Sequence, residues 1–146
     1  MGAVAWQPGD RVYVDTNLFV YVVEQIKPFA SQVQPLFLAA DQGEIILITS
    51  LLALAETLVM PCRKKDDVLI RTYRDLFSLP SSGLLVVPLS ASILEDAARL
   101  RATISSLHLP DPIHLATASS AQCDRFVTND KRLKAATHLT VTVLSE

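Results

Sequence analysis

R-V-Y-V-D-T-N-L-F-V-Y-V-V-E-Q, residues 11–25, decides how the rest of this chain is read. Arg11 to Val14 is a short β-branched run that stops at a carboxylate, Asp15. The polar triplet Asp15, Thr16, Asn17 then opens an apolar stretch suited to a buried helix. Strand, turn and helix in that order predict an α/β unit, and the alternation continues downstream.

Pro28 to Asp41 reads as a helix with Leu36, Phe37, Ala39 and Ala40 on its apolar side; Pro35 either delays its start or kinks it, and Gly43 closes it. Glu44 to Thr49 is a second strand. Ser50 is placed to accept from the free amides of a Leu51 to Met60 helix, with Pro61 in or just after its last turn. Asp66 to Leu79 is amphipathic, with Leu69, Ile70, Tyr73, Leu76 and Phe77 apolar, and precedes a Pro80 to Gly83 turn. Leu84 to Leu89 is a third strand, and Ser90 or Ser92 caps a helix that runs through Ser106. A turn at His108 to Asp111 leads into a helix over Pro112 to Ala121. Arg125 to Thr128 is then a strand, Asp130 to Ala136 a short helix and Leu139 to Leu144 a last strand.

Parallel neighbours need a crossover, usually a helix, so this order predicts a three-layer α/β/α sandwich around a central parallel sheet. At roughly 100–150 residues per domain, one domain should span residues 1–146. Half of the residues are hydrophobic and 19% are charged, which excludes a disordered chain. A net charge of −2 and a pI near 5.9 remove the strongly basic surface of many nucleic-acid binders, so any polyanion must be held locally. Cys62 and Cys123 match no zinc spacing and are too few for a disulfide framework, which favours a reducing cytoplasm. The first residues lack the basic-then-apolar layout of a signal peptide. The longest apolar run, Ile45 to Met60, is broken by Thr49, Ser50 and Glu56 and is shorter than the ~20 residues a bilayer requires. We therefore expect a cytoplasmic protein with no membrane contact.

Glu56 is the strongest chemical clue. It lies among apolar neighbours, no Lys or Arg stands three or four residues away, and a carboxylate in a dry site is costly without a partner. Something positive should meet it, unless it points along a solvated stripe of its helix. Asp15 and Asp130 each follow a strand, and Asp111 lies between two prolines; each alone is explained by helix capping or a turn. A sheet order that set the first and fourth strands side by side would bring Asp15 next to Asp130, with Glu56 and Asp111 flanking them. Four carboxylates sharing a pocket repel, and a divalent cation resolves this. All-oxygen donors favour Mg²⁺ or Mn²⁺ over Zn²⁺. Such an ion activates water and neutralises charge on a departing oxygen, which is nuclease chemistry. Asn17 and Thr128 would orient carboxylates or water by hydrogen bonds, with Thr16 read as a turn residue.

Four motifs carry a resemblance: V-D-T-N at 14–17, T-S-L-L-A-L-A-E at 49–56, P-D-P-I-H-L-A-T-A at 110–118 and F-V-T-N-D at 126–130. In this order and spacing the chain resembles the PIN-domain family, and single PIN domains of this length are similar to VapC-type toxins of toxin–antitoxin pairs. The resemblance implies an Mg²⁺- or Mn²⁺-dependent endoribonuclease with its acidic site on Asp15, Glu56, Asp111 and Asp130. It further implies an RNA substrate, a cognate antitoxin and a homodimer. Pro112 departs from the small residue often found after the third acid.

For phosphate contact the candidates are Arg63, Lys64 and Lys65, and, better placed, Lys131, Arg132 and Lys134 just after Asp130; a solvated helix face explains either group as well. His114 falls three residues after Asp111, on the same helix face, so it reaches toward the site rim or serves as a partly buried, hydrogen-bonded histidine. Two other readings stay open: a PIN-like nuclease or phosphatase outside any toxin system, and a non-catalytic RNA-binding or assembly module. Against a phosphoaspartate phosphatase, Asn17 stands where such enzymes place a second Asp.

Overall fold

The computed structural model describes residues 4–79 and 83–144. Five parallel strands, β1 (Arg11–Val14), β2 (Ile46–Ser50), β3 (Leu84–Val87), β4 (Arg125–Thr128) and β5 (Val141–Val143), form one sheet in the order β3-β2-β1-β4-β5. The helices between them are α1 (Thr16–Val23), α2 (Phe29–Asp41), α3 (Leu52–Lys64), α4 (Asp67–Ser78), α5 (Ala91–Thr103) and α6 (Pro110–Ser120). A 3₁₀ turn, Lys131–Ala135, joins β4 to β5. This is the expected sandwich, with β1 central and flanked by β2 and β4.

Consecutive strand residues point to opposite faces. Val12, Val14, Leu47 and Val127 enter one core with Leu18, Phe19, Val33, Leu36 and Tyr73. Tyr13, Ile48 and Phe126 enter the other with Leu107, Leu115 and Leu133. Both faces are covered, which is why the strands read as continuous apolar runs rather than as alternation.

Several boundaries differ from the sequence reading. α2 begins at Phe29 and runs unbroken through Pro35, which forfeits one internal hydrogen bond without delaying the start. α3 likewise continues past Met60 through Pro61 to Lys64; Arg63 and Lys64 complement its C-terminal carbonyls, and Lys65, in the left-handed region at φ 54°, ends it. β3 stops at Val87 because Pro88 has no amide for the ladder. β2 ends one residue later than read, at Ser50, yet Ser50 Oγ still accepts from Leu52 N at 3.1 Å. Ser90 caps α5 by accepting from Ile93 N at 3.1 Å, and α5 ends at Thr103 rather than Ser106. α6 begins at Pro110, so Asp111 lies in its first turn instead of capping it. Of the Pro80 to Gly83 turn, residues 80–82 lie outside the described residues. Among the described residues no helix is long and apolar enough to cross a membrane.

Candidate active site

β1 and β4 pair in parallel, with Val14 opposite Val127, so both end at the same rim of the sheet. Asp15 prolongs the ladder by donating its amide to Val127 O at 3.0 Å, then caps α1 by accepting from Thr16 N at 2.8 Å. Its other oxygen accepts from the buried Thr128 hydroxyl at 2.6 Å. Thr128 Oγ1 in turn accepts from Asp130 N at 3.0 Å, so one hydroxyl joins the acids of the first and fourth strands. Capping and site placement are therefore not alternatives for Asp15. The same holds for Asp130, which caps the 3₁₀ turn by accepting from Arg132 N at 2.9 Å.

α3 starts directly after β2, which keeps Glu56, its fifth residue, near this rim. Glu56 Oε1 accepts from Thr16 Oγ1 at 2.7 Å and from His114 Nε2 at 2.6 Å. The positive or donating partner that the apolar helix lacked is thus supplied by a histidine 58 residues away. Thr16 is more than a turn residue, because its hydroxyl ties the start of α1 to α3. His114 is almost wholly buried, and its Nε2 also lies 4.0 Å from Asp15 Oδ1. Its Nδ1 sits 2.5 Å from the Tyr13 hydroxyl, whose ring stacks on Phe126 at 4.8 Å.

Burial pushes the Glu56 carboxyl up, but hydrogen bonds from His114 and Thr16 and the charge of His114 outweigh it and leave its pKa below the ordinary value. For His114, burial disfavours the charged ring, yet the Glu56 hydrogen bond and the charges of Asp15, Glu56 and Asp111 together raise its pKa. Burial, then the charge of Asp15, lifts Tyr13 well above its ordinary value, so its hydroxyl keeps its proton.

The second half of the site is bridged by Arg132. Its Nε lies 3.1 Å from both Asp130 oxygens, and its Nη2 contacts Asp130 Oδ2 and, at 3.3 Å, Asp111 Oδ2. The Arg132 hydrogen bond is what chiefly holds the Asp130 carboxyl below its usual range. Asp111 also accepts from His108 N at 3.1 Å. The four acids accordingly stand as two bridged pairs, Asp15 with Glu56 and Asp111 with Asp130, joined through Thr128. As placed, no three of His, Cys, Asp and Glu among the described residues stand close enough to hold one ion together.

All four carboxylates remain reachable, their side chains 15%, 32%, 19% and 26% exposed for Asp15, Glu56, Asp111 and Asp130. Glu56 Oε2 takes no hydrogen bond among the described residues. Carboxylate oxygens are hard donors of the kind that suit a hard divalent cation, and two of these acids already attract a guanidinium. Among the described residues Asn17 makes no hydrogen bond to the four acids; it donates to Asn129 Oδ1 at 3.3 Å, and Asn129 donates to the Tyr21 hydroxyl. Lys131 and Lys134 are exposed beside Asp130, whereas Arg132 is engaged with the acids. Arg63, Lys64 and Lys65 end α3, about 12 Å along the helix axis from Glu56. A 450 Å³ groove lies elsewhere, lined by Val22, Ser31, Pro35, Phe37, Leu38 and Asp41 among others, and Asp15, Glu56, Asp111 and Asp130 do not line it.

Tyr13 carried no signal that marked it for the site, and Thr16 and Asn129 stood inside the V-D-T-N and F-V-T-N-D motifs without being assigned a role there. Only the spacing of His114 from Asp111 hinted at a role.

A parallel α/β/α sandwich with carboxylates gathered beyond its strand C-termini defines a class of protein with its site at the sheet rim. Within that class the chain belongs to the PIN domain family, whose model matches residues 12–139. No curated protein matches it in sequence. Among solved structures it is similar to the VapBC2 complex of Rickettsia felis bound to a promoter DNA fragment, with 20% identity and a TM-score of 0.72 over 92% of this chain and 99% of that one. It is also similar to VapC20 of Mycobacterium tuberculosis, described as a toxin that cleaves the sarcin–ricin loop, with 16% identity and a TM-score of 0.71 over 86% and 94% of the two chains. A toxin–antitoxin complex from Klebsiella pneumoniae matches with 21% identity and a TM-score of 0.67 over 92% and 99%.

Proposed function

We propose that this chain is a metal-dependent endoribonuclease and the toxin of a toxin–antitoxin pair. The observation that carries the reading is the linkage of Asp15, Glu56, Asp111 and Asp130, from four separate elements, at one rim of the sheet. Asp15, Glu56, Asp111 and Asp130 would hold Mg²⁺ or Mn²⁺, which when bound supplies water activation and neutralises charge on the departing oxygen. Thr128 and Thr16 orient the carboxylates of Asp15 and Glu56. Lys131 and Lys134, and Arg132 once it leaves Asp130, face RNA phosphates; Arg63, Lys64 and Lys65 extend that contact along α3. Asn17 holds the segment that carries Asp130 through Asn129.

The toxin role is supported by toxin–antitoxin complexes among the similar structures. In this reading residues 1–146 form one cytoplasmic PIN domain that pairs with a second copy and with an antitoxin. Exposed Leu38 on α2 and Val68 on α4 offer apolar surface for such partners.

The test is to incubate the protein with labelled RNA, DNA and a phosphomonoester in Mg²⁺, in Mn²⁺ and with a chelator. RNA is expected to be cut only when metal is present, and Asp15→Asn to abolish cutting while leaving the circular dichroism spectrum unchanged. Undiminished cleavage by that variant, or hydrolysis confined to the phosphomonoester, overturns the assignment.

A further inference from the structure

Glu56 enters the site from a helix whose positions three and four residues away, Leu52, Ala53, Val59 and Met60, provide no cation. What holds its carboxylate is a chain of donors that begins at the backbone. Ser50 N donates to the Tyr13 oxygen at 3.1 Å, Tyr13 and His114 Nδ1 stand 2.5 Å apart, and His114 Nε2 lies 2.6 Å from Glu56 Oε1. Because the Glu56 carboxylate can only accept, Nε2 carries a ring proton and donates to it, and in the neutral ring Nδ1 is then an acceptor that takes the Tyr13 proton. A doubly protonated ring would reverse the Tyr13 end and leave the Glu56 end as it is.

The chain is enclosed along its length, since Tyr13 and Ser50 are fully buried and His114 is 2% exposed. The ring, carried by α6, is held at both nitrogens, by Tyr13 of β1 and Glu56 of α3, so it cannot turn without breaking both bonds. Glu56 Oε1 therefore receives two fixed donors, Nε2 and the Thr16 hydroxyl, while Oε2 is left free of hydrogen bonds among the described residues.

We propose that His114 is a positioning residue that locks Glu56 with Oε1 tied to the protein and Oε2 presented to the acidic pocket. In treating Glu56 as a functional carboxylate this rests on the nuclease reading above. It goes beyond that reading by assigning the geometry of one acid to a histidine in another helix.

Two substitutions separate positioning from packing. A glutamine amide reaches to where Nε2 stands, whereas an asparagine amide reaches only to where Nδ1 stands. His114→Gln and His114→Asn are compared with wild type for Mn²⁺ affinity by electron paramagnetic resonance, for kcat and KM on RNA, for unfolding midpoint, and for the metal-free Glu56 carboxyl carbon by NMR. His114→Asn is expected to lose about 10- to 100-fold in Mn²⁺ affinity and in kcat with little change in KM. It should also move the Glu56 resonance. His114→Gln should recover most of each loss.

Equal losses in the two variants, or losses that follow the unfolding midpoint, overturn the proposal. Should neither variant fold, Tyr13→Phe, which keeps the ring and removes its support, carries the test. An unaltered Glu56 resonance and Mn²⁺ affinity in Tyr13→Phe would then overturn it. Wild-type protein that takes up no Mn²⁺ and cuts no RNA removes the nuclease reading instead. The metal-free Glu56 resonance then decides on His114 alone: moved in Asn but not in Gln supports positioning, and unmoved in both refutes it.

Discussion

Replacing Thr128 by valine tests the junction on which the site depends. The two side chains have nearly the same shape and both suit a strand, so the change deletes a hydroxyl with little effect on packing. That hydroxyl is fully buried, donates to Asp15 Oδ2 at 2.6 Å and accepts from Asp130 N at 3.0 Å. A hydrogen bond to a charged group contributes about 1.5–3 kcal/mol, and the orphaned Asp130 amide costs about 1 kcal/mol more. Water can replace part of this, since the Asp15 side chain is 15% exposed. A net loss of about 2 kcal/mol follows, read as a fall of about 4–8 °C in Tm by calorimetry. Mn²⁺ affinity should drop about tenfold, because Asp15 loses the donor that orients it. Thr128→Ser is the control: it keeps the hydroxyl, gives up one buried methyl worth about 1 kcal/mol, and should retain its Mn²⁺ affinity. A valine variant as stable as wild type, or serine and valine variants equal in Mn²⁺ uptake, would refute the reasoning.

Arg132→Gln removes the cation shared by Asp130 and Asp111. Isothermal titration at low ionic strength should then show Mn²⁺ bound about two- to fivefold more tightly, the gain fading as salt screens the pair. Weaker binding in this variant would mean that Arg132 supports the proposed metal site instead of competing with it. The two thiols should also differ: Cys62 is exposed, whereas burial pushes the Cys123 thiol up to about 12. Thiolate is the reactive form, so iodoacetamide at about pH 8 should label Cys62 and spare Cys123 in the folded protein, with Cys123 reacting only as pH climbs toward that value. Equal labelling of both at about pH 8 would contradict the burial assigned to Cys123.

Much of the fold was open to inspection in the amino-acid order. Residues 11–25 show a strand, a capping acid and a helix, and β1 and α1 follow that division residue for residue at Val14, Asp15 and Thr16. Most of the errors fell at prolines and at strand ends, with a further one at the end of α5. Pro35 and Pro61 sit inside helices because neighbouring turns and a buried face keep each helix intact after one hydrogen bond is lost. Asp15 and Asp130 were readable as rim residues because each directly follows a strand, and Glu56 because a charge in an apolar helix needs a partner.

The sequence by itself determined which segments are strands and helices, and which acids end up at the edge of a buried sheet. Periodicity, capping and the scarcity of nearby cations act over a few residues, and those interactions are written in consecutive letters. Only the tertiary structure decided who meets whom. Thr128 reaches Asp15 across 113 positions, and His114 reaches Tyr13 across 101, because β4 lies beside β1 and α6 covers the face into which Tyr13 points. Tyr13 looks like any apolar strand residue and Arg132 like a surface cation beside its neighbour Asp130 until tertiary structure brings a histidine to one and Asp111 to the other. Strand order is a property of the whole assembled core, and no local pattern encodes it.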